Sequence, residues 1–345
     1  MSRRRSLTLL IASVSVIAAL AIAVLVPVPY VILGPGPTLN TLGKDSSGHP
    51  IITIVGHPTY PTIGHLNMVT VGYQGGPGVT INIFSALTAW LNPHEAVVPE
   101  SELFAPGQTQ QQTQQQDTQQ MTSSQEDAVA AALTELHIPY QTQVVVVQTQ
   151  PGFPAAGVLQ AGDVITAVDG KPVTSESSLT RLVGAHPAGS TLTLTIIRHG
   201  RTETVQVGTK EVAGRPVMGV QVTSLYKFPF IVRFSVGDIG GPSAGMMFAL
   251  GIVDKLTVMN LTGGKFIAGT GEIEASGKVD PIGGIQQKMV GARNAGATIF
   301  LAPAANCADV KGAIPAGLQV AKVSTLSQAV TDLETLKSGG SVPSC

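Results

Sequence analysis

Two short stretches of this chain hold residue types able to break an acyl bond. In GGPSAG, residues 240–245, three glycines and a proline crowd around Ser243, and the apolar, methionine-rich run MMFALG follows at once. A serine in that setting has two uses. It can cap the helix that the apolar run predicts, or it can serve as a nucleophile beside the unpaired N–H groups of a helix start. The second use needs a base. No Gly-x-Ser-x-Gly elbow and no suitable histidine pattern is present. A lysine can take the base's place if it is held neutral in a dry pocket.

Such a lysine stands in PIGGIQQKMVGARNAG, residues 281–296. Pro281 and two glycines predict a turn, and Gly296 predicts a helix stop. On the helix between them Ile285, Lys288, Met289 and Ala292 share one face, with Gln286, Gln287, Arg293 and Asn294 on the other. A lysine in an apolar stripe either snorkels to water along the helix edge or stays desolvated with a lowered pKa, which makes it a base near neutral pH. Lys288 lies 45 positions after Ser243, so only the tertiary fold can bring the two together.

The remaining sequence must position these segments. With 345 residues there is room for two or three domains, and 43% hydrophobic content supplies their cores. A net charge of −1 and only 4% aromatic residues give nucleic acid no electrostatic or stacking footing, so no such partner is expected. The seven histidines lack ligand spacing, and the residues after His94-Glu95 do not supply the second histidine of H-E-x-x-H. No metal or cofactor is therefore expected.

Ser6–Val26 carries no charge over 21 residues, about the length that crosses a hydrocarbon layer as a helix. Arg3, Arg4 and Arg5 precede it, which predicts a cytoplasmic N-terminus and an extracytoplasmic bulk. A cleaved secretion signal is the other reading, with Ala19-Leu20-Ala21 or Ala21-Ile22-Ala23 as the cleavage site. No second run of spanning length follows, so a single-pass membrane protein is expected. Cys307 and Cys345 are the only cysteines, and an oxidising compartment would let them pair.

GPGPTLNTLG (34–43) predicts a turn-rich exit from the membrane. IITIVG (51–56), MVTVGY (68–73) and VTINIF (79–84) alternate as strands do. Residues 108–120 are glutamine-rich and predict a linker or exposed loop, before the helical AVAAALTEL (128–136).

The segment VVVVQTQPGFPAAGVLQAGDVITAVDGKPV (144–173) reads as strand, turn, short helix and strand. SSLTRLV (177–183) then reads as an amphipathic helix, and TLTLTIIRHGRTETVQV (191–207) as a hairpin turning at His199-Gly200. Through Pro154-Ala155-Ala156-Gly157, Gly162-Asp163-Val164-Ile165 and Asp169-Gly170, the stretch resembles bacterial PDZ domains. That resemblance implies a module that binds a peptide as an added strand. No hydrophobic-Gly-hydrophobic carboxylate loop opens the domain. Met218-Gly219-Val220, at its end, would serve if the domain is permuted.

GGPSAG (240–245), GTGEI (269–273) and PIGGIQQK (281–288) stand in the order and spacing of Lon-type serine proteases, which they resemble. The resemblance implies Ser243 as nucleophile, Lys288 as general base and Thr270 as the hydroxyl that orients the lysine. Gly241, Pro242 and Ala244 become the oxyanion loop. Gly240 departs from the acidic residue common there. No G-x-x-x-x-G-K-[S/T] motif is present, so no ATPase partners this domain within the sequence. One anchor, a PDZ-like unit and a Lon-type domain together resemble the bacterial YlbL-type family. An oligomeric ring is implied by the Lon likeness alone.

The expected architecture is α+β. It comprises an anchor over 1–33, a β-rich region with a Gln-rich loop over 34–124, a PDZ-like domain over 125–210 and a Lon-type domain over 211–345. The expected function is an ATP-independent, membrane-anchored serine endopeptidase acting on unfolded or flexible extracytoplasmic protein substrates. The competing expectation is a non-catalytic PDZ-type scaffold with an inactive Lon-like domain.

Overall fold

Apolar runs from both halves of the sequence meet in one sheet. In a computed structural model, which describes the backbone of residues 3–345 and the side chains of residues 7–345, six strands lie side by side. Their order is Gln319–Val323, Ile299–Pro303, Phe266–Gly269, His65–Gln74, Tyr30–Asn40, Ala96–Pro99. The first four are mutually parallel, and the last two pair antiparallel with their neighbours. Ile299–Pro303 is buried at every residue, as a parallel strand covered on both faces must be.

This sheet corrects the expected organisation. The sequence predicts a separate β-rich region over 34–124, yet Tyr30–Asn40 and His65–Gln74 lie in the same sheet as Phe266–Gly269, Ile299–Pro303 and Gln319–Val323. The first compact unit combines the chain up to His137 with Phe230–Cys345, and the second is Ile138–Pro229 rather than 125–210. The predicted turn GPGP also lies inside a strand, at a bulge between Pro35 and Thr38. Glycine is required there: a Cβ on Gly36 would sit 2.4 Å from Thr70 Oγ1. Of VTINIF only Ile81–Asn82 is strand. The Asn82 side chain accepts from the Ser85 N–H at 2.8 Å and starts a helix, Ile83–Trp90.

The glutamine-rich stretch is the largest departure. Gln110–Glu135 is a continuous helix of 26 residues, not a loop. Thr109 and Gln112 form a reciprocal capping box at its start, and glutamine is a fair helix former. Low hydrophobicity does not prevent ordering because the helix buries Thr113, Met121, Ser124 and the run Ala128–Leu133. AVAAALTEL therefore ends this helix instead of opening the PDZ-like unit.

Cys307 and Cys345 are disulfide-bonded across 38 residues and tie the C-terminal tail beside the apolar cluster of Phe300, Ala302 and Val310. Cys345→Ser is expected to lower the unfolding free energy by about 3–4 kcal/mol, from loop-closure entropy. Urea titration of the two proteins under non-reducing conditions checks it. The N-terminal helix Arg3–Leu25 contains the apolar span Leu7–Leu25, with mean hydropathy 2.7 and no burial against protein. The side chains of Arg3, Arg4 and Arg5, which carry the expected orientation, lie outside the described residues.

In the second unit the strands run in the order Arg201–Gly208, Thr191–Arg198, Val164–Val168, Gln141–Thr149, Val220–Lys227. The helix Glu176–Gly184, capped by Ser175, covers a core that includes Val146, Ile165, Leu179, Leu192 and Leu194. The His199-Gly200 turn has positive φ at both residues, which suits a tight hairpin. Val220–Lys227 is the edge strand that the expected boundary at 210 leaves out.

Candidate active site

Ser243 stands between two helices that the sequence separates. The helix Gly245–Leu256 is buried along almost its whole length and begins after Ala244, which occupies the N-cap position without a side-chain cap bond. Ser243 lies one residue before that cap. Its hydroxyl does not cap the helix; it lies 2.8 Å from Lys288 Nζ. The two uses open to a serine in this motif are thus separated by one residue.

Lys288 comes from the helix Ile285–Asn294, whose N-cap Gly284 adopts a left-handed conformation at φ 66°. Only glycine fits there, since a Cβ would meet Val71 Cγ2 at 2.7 Å. Ile285, Lys288, Met289 and Ala292 are all buried, and Lys288 is only 3% exposed, so its amine does not snorkel to water. Gln287, expected on the outer face, is buried as well. No carboxylate among the described residues pairs with Lys288. Burial pushes its pKa down to about 8, because the charged ammonium is poorly solvated there.

Thr270 completes the cluster. Its hydroxyl, fully buried, lies 3.1 Å from Lys288 Nζ and donates to the Ser243 carbonyl at 2.9 Å. With its proton used on that carbonyl, Thr270 Oγ1 accepts from the amine. A neutral amine that donates to Thr270 can turn its lone pair toward Ser243 Oγ.

The backbone around Ser243 is pinned at two successive carbonyls. Ser124 Oγ donates to the Pro242 carbonyl at 2.8 Å, and the Gly271 N–H and Thr270 hydroxyl both donate to the Ser243 carbonyl. In a trans peptide the C=O and the next N–H point in opposite directions. Holding these carbonyls therefore fixes the two peptide planes that carry the N–H groups of Ser243 and Ala244, neither of which has an acceptor among the described residues. Of the expected oxyanion loop, Ala244 keeps a free N–H. Pro242 has none, and the Gly241 N–H is taken by the Asp117 carbonyl at 3.0 Å. Ser243 supplies the second free donor from its own backbone.

Asp117 and Ser124 were not legible as site residues, because Asp117 sits in the glutamine-rich stretch and Ser124 in the polar run just after it. Their signal is weak: a serine seven residues after an aspartate, two helical turns apart on one face. Gly240 packs where a Cβ would lie 2.6 Å from Asp117 Cβ. Asp117, on the helix Gln110–Glu135, therefore packs closely against this loop. Burial raises the Asp117 pKa above the usual carboxylate range. Ser243, Ala244, Lys288 and Met121 line a cleft of about 270 Å³.

Met218, Gly219 and Val220 belong to the second unit, where they line a larger groove of about 700 Å³ with Leu179 and Val183. Gly219 has φ 76°, and a Cβ there would overlap Phe153 Cβ at 2.0 Å, so this loop also needs glycine. The groove runs between the helix Glu176–Gly184 and the edge strand Val220–Lys227.

Two stretches of the chain match known protein families. Residues 235–334 match the family model of the Lon protease (S16) C-terminal proteolytic domain, and residues 112–209 match that of the PDZ domain. The PDZ match begins inside the glutamine-rich helix, ahead of the compact unit at Ile138. Lon protease 1 of Bacillus subtilis is 41% identical over 96 residues, which cover 27% of this chain and 12% of that protein. The Lon protease of Roseiflexus castenholzii is 42% identical over 71 residues, 21% of this chain and 9% of that protein. The aligned stretch thus spans about a tenth of these relatives. The PDZ domain of an SdrC-like protein from Listeria innocua is 26% identical with a TM-score of 0.22, over 23% of this chain and 92% of that one. The chain carries a PDZ domain and a Lon-type proteolytic domain, with an apolar helix near its N-terminus that is long enough to cross a membrane.

Proposed function

We propose that this chain, a PDZ domain joined to a Lon-type proteolytic domain, is a membrane-anchored serine endopeptidase that works outside the cytoplasm without ATP. The observation that carries the reading is Lys288 Nζ, buried with no carboxylate partner among the described residues, 2.8 Å from Ser243 Oγ.

Neutral Lys288 takes the Ser243 hydroxyl proton as Oγ attacks a peptide carbonyl. The carbonyl oxygen becomes an oxyanion, and the N–H groups of Ser243 and Ala244 donate to it. The C–N bond breaks as the Lys288 ammonium gives its proton to the leaving amine. Lys288 then deprotonates a water molecule, which attacks the acyl-enzyme and releases the acid and the Ser243 hydroxyl. Thr270 keeps the amine turned toward Ser243 throughout. The PDZ groove supplies flexible segments, which add as a strand beside Val220–Lys227, with Met218-Gly219-Val220 at the chain end. Extended chains suit this enzyme because the sequence contains no unfolding motor motif.

A serine-reactive fluorophosphonate tests the dyad without knowledge of the natural substrate. Oxygen–phosphorus bond formation at Ser243 expels fluoride, and Lys288 takes the proton. Labelling is expected on Ser243 by peptide mass mapping, and Ser243→Ala is expected to abolish both labelling and cleavage of fluorescein-labelled unfolded casein. Undiminished casein cleavage by Ser243→Ala and Lys288→Ala overturns the dyad. A wild type that neither labels nor cleaves favours the scaffold reading, in which the PDZ groove alone is functional.

A further inference from the structure

We infer that the short helix Ile83–Trp90 lies in the lipid headgroup layer, so that the proteolytic unit rests on the bilayer its N-terminal helix crosses. This inference depends on the anchor reading above.

The short helix has two faces. Ala86 and Ala89 pack inward with Val28, Ile32 and Ile81. Phe84, Leu87, Trp90 and Leu91 point outward and are 51%, 52%, 73% and 75% exposed. At about 100° per residue these four fall within one arc of the helix surface, with Thr88 and Ser85 beside it on one side. Four large apolar side chains exposed together are unusual for a surface that meets only water.

Three further observations select lipid as the occupant. The first is continuity with the span. Pro27–Val28, just past the N-terminal helix, pair with Ile81–Asn82, the residues that lead into the short helix. The two helices also touch each other. The apolar face therefore begins where the lipid-crossing segment ends. The second is charge. No Asp, Glu, Lys or Arg occurs anywhere between Asp45 and Glu95, so nothing on this stretch resists entry into an interface. The third is composition: an exposed tryptophan with leucine and phenylalanine on one helix face is the pattern of helices that lie at the headgroup boundary.

Trp90 is the only tryptophan of the chain, so its fluorescence reports on this face alone. The full-length protein is reconstituted into phosphatidylcholine–phosphatidylglycerol vesicles, and insertion is scored by flotation. With lipids brominated high on the acyl chain, Trp90 emission is expected to fall by about half or more, while aqueous iodide quenches it at least threefold less than it quenches the urea-unfolded protein. Three results overturn the inference. Failure to float removes the anchor and the docking together. Flotation with full iodide quenching and no bromolipid quenching removes the docking alone. Protection from iodide without bromolipid quenching means that protein, such as a second copy of this chain, covers the face.

Discussion

Replacing Lys288 with methionine is expected to leave a folded protein that is more stable to heat and does not cleave peptide bonds. The apolar path of the side chain is kept and the base is lost, so casein cleavage and fluorophosphonate labelling should fall by at least about 10³-fold. The stability gain follows from the lowered pKa. The folded amine loses its proton at about 8, whereas the ordinary lysine value is 10.5. Between these values the unfolded chain binds more protons, so wild-type stability rises with pH through that window. Below pH 8 the wild type carries the full cost of a buried ammonium, and methionine does not. At pH 7 the gain is expected at about 1–3 kcal/mol, as the lost bonds to Ser243 and Thr270 offset part of it. Calorimetric scans at pH 7 and pH 10 measure it, and the gap between the proteins should narrow at the higher pH. Activity of the wild type has the same origin. Only the neutral amine accepts the serine proton, so the labelling rate should climb through about pH 8 and level off above it. A rate that is flat from pH 6 to 10 would remove Lys288 as the base.

Ser124→Ala should be the next most damaging change, although no motif marks this residue. Its hydroxyl holds the Pro242 carbonyl and so fixes the peptide plane that carries the Ser243 N–H. Losing one oxyanion donor outright costs about 10²–10³ in kcat. Here the donor remains but is free to tilt, so a fall of about tenfold to hundredfold is expected, mainly in kcat. Lys288 is untouched, so the pH midpoint should stay near 8 while the plateau drops. A shifted midpoint would mean that the variant disturbs the dyad instead. Ser124→Thr keeps the hydroxyl and should recover most of the loss. Full activity in Ser124→Ala, with the melting temperature matched, would dismiss the positioning role.

The contrast between these two residues shows what is legible in a sequence. Lys288 stands out because its neighbours at helical spacing are apolar, and that anomaly is local. Ser124 is an ordinary serine in a polar stretch. Its importance arises 118 positions away, at the Pro242 carbonyl. The glutamine-rich residues 108–120 read as a linker or loop for the same reason, although they belong to the helix Gln110–Glu135. Composition reports how much apolar area a segment owns, whereas ordering depends on what lies beneath Met121 and Ala128–Leu133. The PDZ motifs and the hairpin at His199-Gly200 were readable because turn chemistry and alternation are nearest-neighbour properties.

By itself the sequence determined the residue types of the chemistry, the apolar N-terminal span and the two domain classes, since each is written in a contiguous motif or a short period. Only the tertiary structure decided that Tyr30–Asn40 and His65–Gln74 belong to the Lon-type sheet and that the PDZ unit interrupts a discontinuous proteolytic one. It also placed the helix start after Ala244, which leaves the Ser243 hydroxyl to Lys288. The physical reason is common to all three. Strand pairing, burial and peptide orientation are set by groups distant in sequence, and no local pattern encodes which distant group will arrive.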